Sequence, residues 1–285
     1  PARWRTPRVR RNGGVTSSHT PRKRFGQHFL VDTTAIRRIL DAFGPAREDN
    51  VVEIGPGLGA LTRPLLERLT HLHVVEIDRN LVAELRAQFP PERLTVHAAD
   101  ALKFDFSALG ENIRLIGNLP YNISTPLLFH IASQASALRD ALFMLQKEVV
   151  DRMVAQPGDA AYGRLSLTLQ ARFRMRRLFV IEPGAFRPPP KVRSAIVRLE
   201  PEHQSVVAAA DMPLFEAIVA AGFQQRRKTL RNSLSRWLGS DDFAHLSLDP
   251  GQRAEALDID TYARIAAYLR RDGEHARSIS PAPSS

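Results

Sequence analysis

The chain has 285 residues and a mass of 31.8 kDa, 44% hydrophobic and 25% charged, an ordinary globular make-up with room for one large domain and a small one. It has no cysteine, which excludes disulfides and thiolate metal sites, and no apolar run long enough for a bilayer-spanning helix. The formal net charge is +10, but eight of the 40 basic residues and none of the 30 acidic ones fall in residues 1–24, so the remainder is nearly neutral and any polyanion footprint must be local.

In chain order, residues 1–21 carry Gly13-Gly14, no acid and no periodicity, and read as a disordered basic extension. They lack the apolar stretch of a secretory signal. Their composition fits an organelle transit peptide, an RNA-touching arm or a segment without function equally well. Beyond them strand and helix alternate, which predicts an α/β domain with a mostly parallel sheet. "NVVEIG" (50–55), "HLHVVEID" (71–78), "RLTVHAAD" (93–100), "NIRLIGNLPY" (112–121) and "ALFMLQ" (141–146) read as strands. "LTRPLLERL" (61–69), "RNLVAELRAQF" (79–89) and "STPLLFHIASQ" (124–134) read as the helices between them, with Pro64 tolerated near a first turn. "LFVIEP" (178–183) and "AIVRLEP" (195–201), joined by a Pro-rich segment, form a final antiparallel pair. From about 211 the pattern is helical, in "PLFEAIVAAGF", "KTLRNSLSRWL" and "DTYARIAAYLRR", which predicts a small all-helical second domain. Residues 276–285 read as a loose tail. His71, His73 and His97 lack a helical pairing or acidic partners, so no metal site is expected.

The first strand runs into "GPGLG", where Gly55, Gly57 and Gly59 let backbone approach a ligand. The spacing is neither GxGxxG nor a P-loop. Glu76 ends the second strand, where doubly wound nucleotide folds place an acid for ribose hydroxyls, and Asp100 at the third strand's end is placed to accept an adenine amino group. An adenosine-bearing cofactor follows; NAD and S-adenosylmethionine (SAM) both fit.

The fourth strand runs into Asn118-Leu119-Pro120-Tyr121. The Asn118 side-chain carbonyl and the backbone carbonyl of Leu119, followed by a proline without an amide, are two acceptors for the hydrogens of an aromatic amine. Tyr121 is placed to stack on the base that carries it. That chemistry serves methyl transfer to nitrogen, and hydride transfer has no use for it. Three basic patches, "PRKR" (21–24), "RFRMRR" (172–177) and "QQRRKTLRNSLSR" (224–236), read together as a nucleic-acid-binding surface.

"KRFGQHFL", "VVEIGPGLGALT", "VVEID", "GNLPYNIST", "FMLQKEVVDRM", "YGRLSLTLQ", "FRPPPKVRSAIVRL" and "FQQRRKTLRNSL" occur in that order. Together they resemble the bacterial small-subunit (16S) ribosomal RNA adenine N6,N6-dimethyltransferase family, from about residue 22 to 270. The resemblance implies a Rossmann-like class I methyltransferase domain with a seven-stranded sheet over 22–205 and a helical RNA-binding domain over 206–275. It implies SAM as cofactor, held by His28, Leu30, Gly55, Gly57, Gly59, Glu76, Asp100 and Asn118. Many relatives carry Asn where His28 stands, so the implied contact there is a backbone one. Asn118, Leu119 and Pro120 would orient the target N6, with Tyr121 and Phe186 on the two faces of a flipped-out adenine. Arg22, Lys23, Arg24, Lys191, Arg226, Arg227, Lys228 and Arg231 would meet RNA. The implied substrate is two adjacent adenosines near the 3′ end of 16S rRNA in a small subunit or its precursor, and the implied setting is a cytoplasmic monomer with an assembly role. Three alternatives stand beside it: the large-subunit methyltransferase of macrolide resistance, a non-catalytic assembly or transcription factor, and a DNA N6-methyltransferase, whose loop reads Asn/Asp-Pro-Pro-Tyr.

Overall fold

The computed structural model describes residues 28–279 apart from His203 and Arg226, with side chains as far as Arg271. The expected extension 1–21, the run Arg22-Lys23-Arg24, Arg226 and residues 280–285 lie outside the described residues.

The short strand β1 (Phe29–Leu30) leads into α1 (Thr33–Phe43). Asp32 starts this helix by accepting from the Thr34 and Ala35 amides, and Gly44 ends it at φ 58°. Then β2 (Val51–Ile54), α2 (Thr62–Arg68), β3 (Leu72–Glu76), α3 (Arg79–Gln88) and β4 (Leu94–Ala98) follow the alternation expected of them. The second half adds β5 (Ile113–Asn118), α4 (Ser124–Ala132), β6 (Leu138–Gln146), α5 (Lys147–Val154), α6 (Arg164–Gln170), β7 (Phe173–Ile181), β8 (Phe186–Arg187) and β9 (Ser194–Pro201). The helical part holds α7 (Met212–Gln224), α8 (Leu230–Ser233), α9 (Ser240–His245) and α10 (Ile259–Ile279).

The seven-stranded sheet has the order β4-β3-β2-β5-β6-β9-β7. Its first five strands are parallel, and β9 runs antiparallel to both β6 and β7. β1 and β8 form a separate two-stranded ribbon. After β4 the chain returns to the far side of β2, so strand order reverses between β2 and β5. The loops leaving the C-terminal ends of those two strands, "GPGLG" and "NLPY", therefore flank the crevice where open α/β sheets bind ligands.

Alternate strand residues feed two layers. Val51 and Val74 pack with Ile39, Leu65 and Val82 of α1, α2 and α3, whereas Val52 and Val75 pack with Leu127, Val150 and Leu165 of α4, α5 and α6. A third cluster centres on Phe215, Ile218, Leu230, Phe243 and Tyr262. Helix α6 belongs to two of these cores: Leu165 and Leu169 point into the sheet layer, and Leu167 and Ala171, just beyond its end, point into the helical one.

Several elements differ from expectation. The helix expected over 228–238 is only the single turn α8 followed by turns, and its first two amides, Leu230 and Arg231, bond to the Gln252 and Pro250 carbonyls. Strand β7 starts at Phe173, five residues before the expected 178, so most of "RFRMRR" is a sheet edge. Much of its charge is spent within the fold, on Arg172–Glu216, Arg174–Glu200 and Arg177–Asp151 pairs. Basic side chains also keep an edge strand from pairing with another chain. Helix α10 runs on to Ile279, past the start of the expected tail at 276. Among the described residues no helix is long and apolar enough to cross a membrane.

Candidate active site

The crevice is a cavity of about 1120 Å³. His28, Leu30, Gly55, Gly57, Gly59, Glu76, Asp100, Asn118, Leu119, Pro120 and Tyr121 all line it, from five separate stretches of sequence. Its volume exceeds the roughly 300–1,000 Å³ of most small-molecule sites, enough for a nucleoside cofactor with a second base beside it.

The floor is backbone. Gly55, Gly57 and Gly59 all have positive φ, at 65°, 56° and 82°. A Cβ on Gly57 would meet the Phe29 ring at 3.2 Å, so ribbon β1 seats against a turn that only glycine can make. Next to it, Gly117 brings β5 close to β2: a Cβ there would lie 2.5 Å from the Ile54 carbonyl oxygen, a contact no side chain survives.

The acids stand at strand ends as expected. Glu76 is buried and accepts from the Asp78 amide at 2.8 Å. Burial pushes its carboxyl up, and the amides of Asp78, Gly57 and Ile77 only partly offset this. Asp100 holds its own loop by accepting from the Leu102 amide at 3.0 Å through Oδ1. A third acid, Glu53, lines the same cavity from the middle of β2 and is 2% exposed. It accepts from the Thr62 hydroxyl at 2.6 Å, and burial, with Glu76 nearby, pushes its carboxyl up to about 8. The sequence reading passed over it, although a lone carboxylate inside an apolar strand was the available signal.

At the other wall, Asn118 Nδ2 donates to the His28 carbonyl at 3.1 Å. That bond assigns the amide orientation and leaves Oδ1 without a hydrogen bond from the described residues. The Leu119 amide donates to the Met144 carbonyl at 3.1 Å, while its own carbonyl accepts nothing among the described residues. Two acceptors thus remain open at this corner. Tyr121 shares a hydrogen bond of 2.7 Å with Ser194. Burial pushes its phenol up, so it stays protonated. The His28 ring lies 5.6 Å from the Tyr121 ring, and His28 Nδ1 is 2.8 Å from the Pro188 carbonyl oxygen. His28 therefore ties the β1 ribbon to the Pro-rich segment, a role the sequence did not suggest.

Phe186 sits apart from the other expected site residues. It pairs with Leu30 in the β1–β8 ribbon, is 0% exposed within the core that covers α1, and has no face on the cavity. Lys191, Arg227, Lys228 and Arg231 are exposed and away from the cavity lining. His71, His73 and His97 do meet, just before and on β3 and on β4, but His73 bonds to His97, and His71 to Thr95 and the Glu92 carbonyl. Among the described residues no cluster could hold a metal ion.

This geometry has known counterparts. The family model described as ribosomal RNA adenine dimethylase matches residues 18–271. A ribosomal RNA small subunit methyltransferase A of Thiobacillus denitrificans is 61% identical over 251 residues, which cover 88% of this chain and 98% of the relative. One from Aromatoleum aromaticum is 60% identical, over 89% of this chain and 96% of the relative. Among solved structures, a dimethyladenosine transferase from Plasmodium falciparum superposes with a TM-score of 0.73 at 26% identity, covering 86% of this chain and 98% of the other. The 23S rRNA methyltransferase ErmE gives a TM-score of 0.66 at 25% identity, covering 85% of this chain and 99% of the other. With the glycine turn, the two strand-end acids and the Asn-Leu-Pro-Tyr corner gathered around one cavity, and a family model spanning nearly the whole chain, the protein belongs to the ribosomal RNA adenine dimethylase family.

Proposed function

We propose that the protein dimethylates N6 of two adjacent adenosines near the 3′ end of 16S rRNA, within a small ribosomal subunit or its precursor, as a cytoplasmic monomer with a part in subunit assembly. The enzyme class, SAM-dependent rRNA adenine dimethyltransferase, is that of the family. What carries the residue assignment is the state of Asn118: its amide nitrogen is engaged by the His28 carbonyl, and its own carbonyl oxygen, with that of Leu119, accepts no hydrogen bond from the described residues at the cavity.

When bound, SAM supplies a methyl group on a sulfonium. The residues present fit it: bare glycine backbone at the floor, Glu76 for a ribose diol and Asp100 for an adenine amino group. Leu30 and the backbone of His28 border the same space. On the substrate side, Asn118 and the Leu119 carbonyl take the two N6 hydrogens and turn the amine out of the ring plane, which frees its lone pair. Pro120 keeps that carbonyl clear of a competing amide. Tyr121 supports one face of the base and is itself fixed by Ser194. No charged general base is needed at this corner. Its walls must also admit N6 a second time, after it has gained one methyl.

The test is methylation of small subunits that lack the modification, with labelled SAM and nucleosides identified by mass spectrometry. The native protein is expected to yield dimethyladenosine. Asn118→Ala is expected to lower the rate by about 100-fold, the scale on which a positioned polar contact to the reacting group acts, while SAM still binds. SAM binding without any product on these particles would direct the search to large-subunit RNA. No SAM binding at all would favour a non-catalytic assembly factor.

A further inference from the structure

A second cavity, of about 670 Å³, opens in the helical domain between the C-terminal end of α7, Arg164 and the chain from Ser233 to Trp237. Arg164, Phe223, Gln224, Ser233, Arg236 and Trp237 form its walls. The volume lies within the roughly 300–1,000 Å³ of small-ligand sites.

Its chemistry is of three kinds. Arg164 and Arg236 are exposed, and neither has a carboxylate within ion-pair reach among the described residues, unlike Arg172, Arg174 and Arg177. The Arg164 guanidinium is steadied from behind, 5.4 Å from the centre of the Phe129 ring on α4. Trp237 is only half-buried, which leaves part of an indole at the cavity. Finally, the Ser233 hydroxyl is buried and has no hydrogen-bond partner among the described residues. A buried hydroxyl without a partner calls for one from whatever fills the adjoining space.

Each group matches a part of one ligand class. Two unpaired guanidiniums suit phosphates, the indole offers a stacking platform for a base, and Gln224 with Ser233 offers donors and acceptors for a base edge or sugar. An acidic peptide would use the arginines alone and leave Trp237 and Ser233 unexplained. We propose that this cavity holds one unpaired nucleotide of the RNA substrate, its base against Trp237 and its flanking phosphates on Arg164 and Arg236. The assignment rests on the RNA-substrate reading given above. It adds a second gripping point to the one on Arg227, Lys228 and Arg231, which do not line the cavity.

The chain has two tryptophans, Trp4 and Trp237, so full-length Trp4→Phe protein leaves Trp237 as the sole indole reporter. The probe is a single-stranded RNA hexamer of adenosine and uridine, titrated while indole emission is followed. Saturable quenching is expected. Adding Arg164→Gln and Arg236→Gln should weaken binding about tenfold at 0.1 M salt and lower the salt slope by about 1.4 for the two lost phosphate contacts. SAM affinity, measured by calorimetry, should not change and so reports that the variants are folded. The same hexamer in a duplex, and a polyglutamate peptide, should quench little. Absence of quenching, unchanged affinity and salt slope in the double variant, or equal quenching by the peptide would each overturn the proposal. The two readings fail separately. Protein that methylates subunits without Trp237 quenching loses the cavity and keeps the enzyme; protein that quenches but methylates nothing does the reverse.

Discussion

Glu53 sits in a four-residue strand that is buried throughout, and its carboxyl is held protonated near neutral pH by burial, with a smaller push from Glu76 against the Thr62 hydroxyl. Between the ordinary carboxylate range and about 8, the folded chain binds a proton at Glu53 that the unfolded chain has lost. Stability from this group is therefore present at low pH and declines as pH rises through that window. Glu53→Gln should abolish the decline, seen as a melting temperature that no longer falls between pH 5 and about 8 in thermal scans without ligand. At this scale the site was largely legible. Glycines, strand-end acids and the Asn-Leu-Pro-Tyr corner announce themselves, since each is a poor choice for an ordinary strand end. Two residues were illegible for opposite reasons. Gly117 looks like any glycine until the strand beside it is known to approach so closely that a Cβ would meet a carbonyl oxygen. Phe186 enters the site only through the resemblance, and its pairing with Leu30 places its ring in the core.

Strands β3, β5 and β6 carry polar groups that decide stability rather than chemistry. Arg114, on β5, is 3% exposed yet fully used: its guanidinium meets both Asp140 oxygens at 2.7 and 2.8 Å, Asp49 at 2.7 Å, and the Gly44 and Phe43 carbonyls. It also lies 4.2 Å over the Phe43 ring, so it joins the end of α1 to the centre of the sheet. Arg114→Met keeps the bulk but leaves Asp140 only Arg198 at 3.5 Å and Asp49 only Arg139 at 3.0 Å as charged partners, and should cost about 3 kcal/mol in urea unfolding. On the other edge, His73 Nδ1 lies 3.2 Å from His97 Nε2, with the rings stacked. Burial first, then His71 and His97, depress the His73 imidazole from 6.5 to about 4. Its neutral form is the folded one, so the stability it contributes is complete above pH 6.5 and is lost as pH falls toward 4. His73→Gln should flatten the acid limb of a stability–pH curve over that range. Element legibility followed packing. The α/β alternation could be read because α2, α3 and α4 each bury one face. Helix α1 had its signals in Asp32 and Gly44, which the motif on either side obscured. Helix α6 had none, because a helix buried on two sides shows no polar face.

For the whole molecule, the near-neutral body means that RNA must be gripped by a few local cations. Arg227, Lys228 and Arg231 are exposed without carboxylate partners among the described residues, and backbone bonds from Leu230 and Arg231 to the 250–252 segment hold the loop that carries them. Neutralising Arg226, Arg227, Lys228 and Arg231 together should reduce the salt slope of subunit binding by about three, as four lost phosphate contacts imply, with SAM affinity unchanged in calorimetry. Equal loss of both affinities would mean that the two halves do not divide the labour. Which charges are free could not be read from the sequence, since "RFRMRR" and "QQRRKTLRNSLSR" look alike until the acids that quench the first are placed beside it in space.

The double allegiance of α6 bears on how such an enzyme diverges. Because Leu165 and Leu169 serve one core while Leu167 and Ala171 serve the other, the helical portion does not end where its contiguous sequence begins. Cutting the chain after β9 would leave a greasy stripe on the catalytic half. Grafting a foreign recognition portion there would meet a seam cut for a different partner. Changes in what the enzyme recognises should therefore accumulate on solvent-facing loops of the helical portion, where they leave the seam alone. A chimera made by exchanging everything after residue 205 should fold only if the facing side of α6 is exchanged with it.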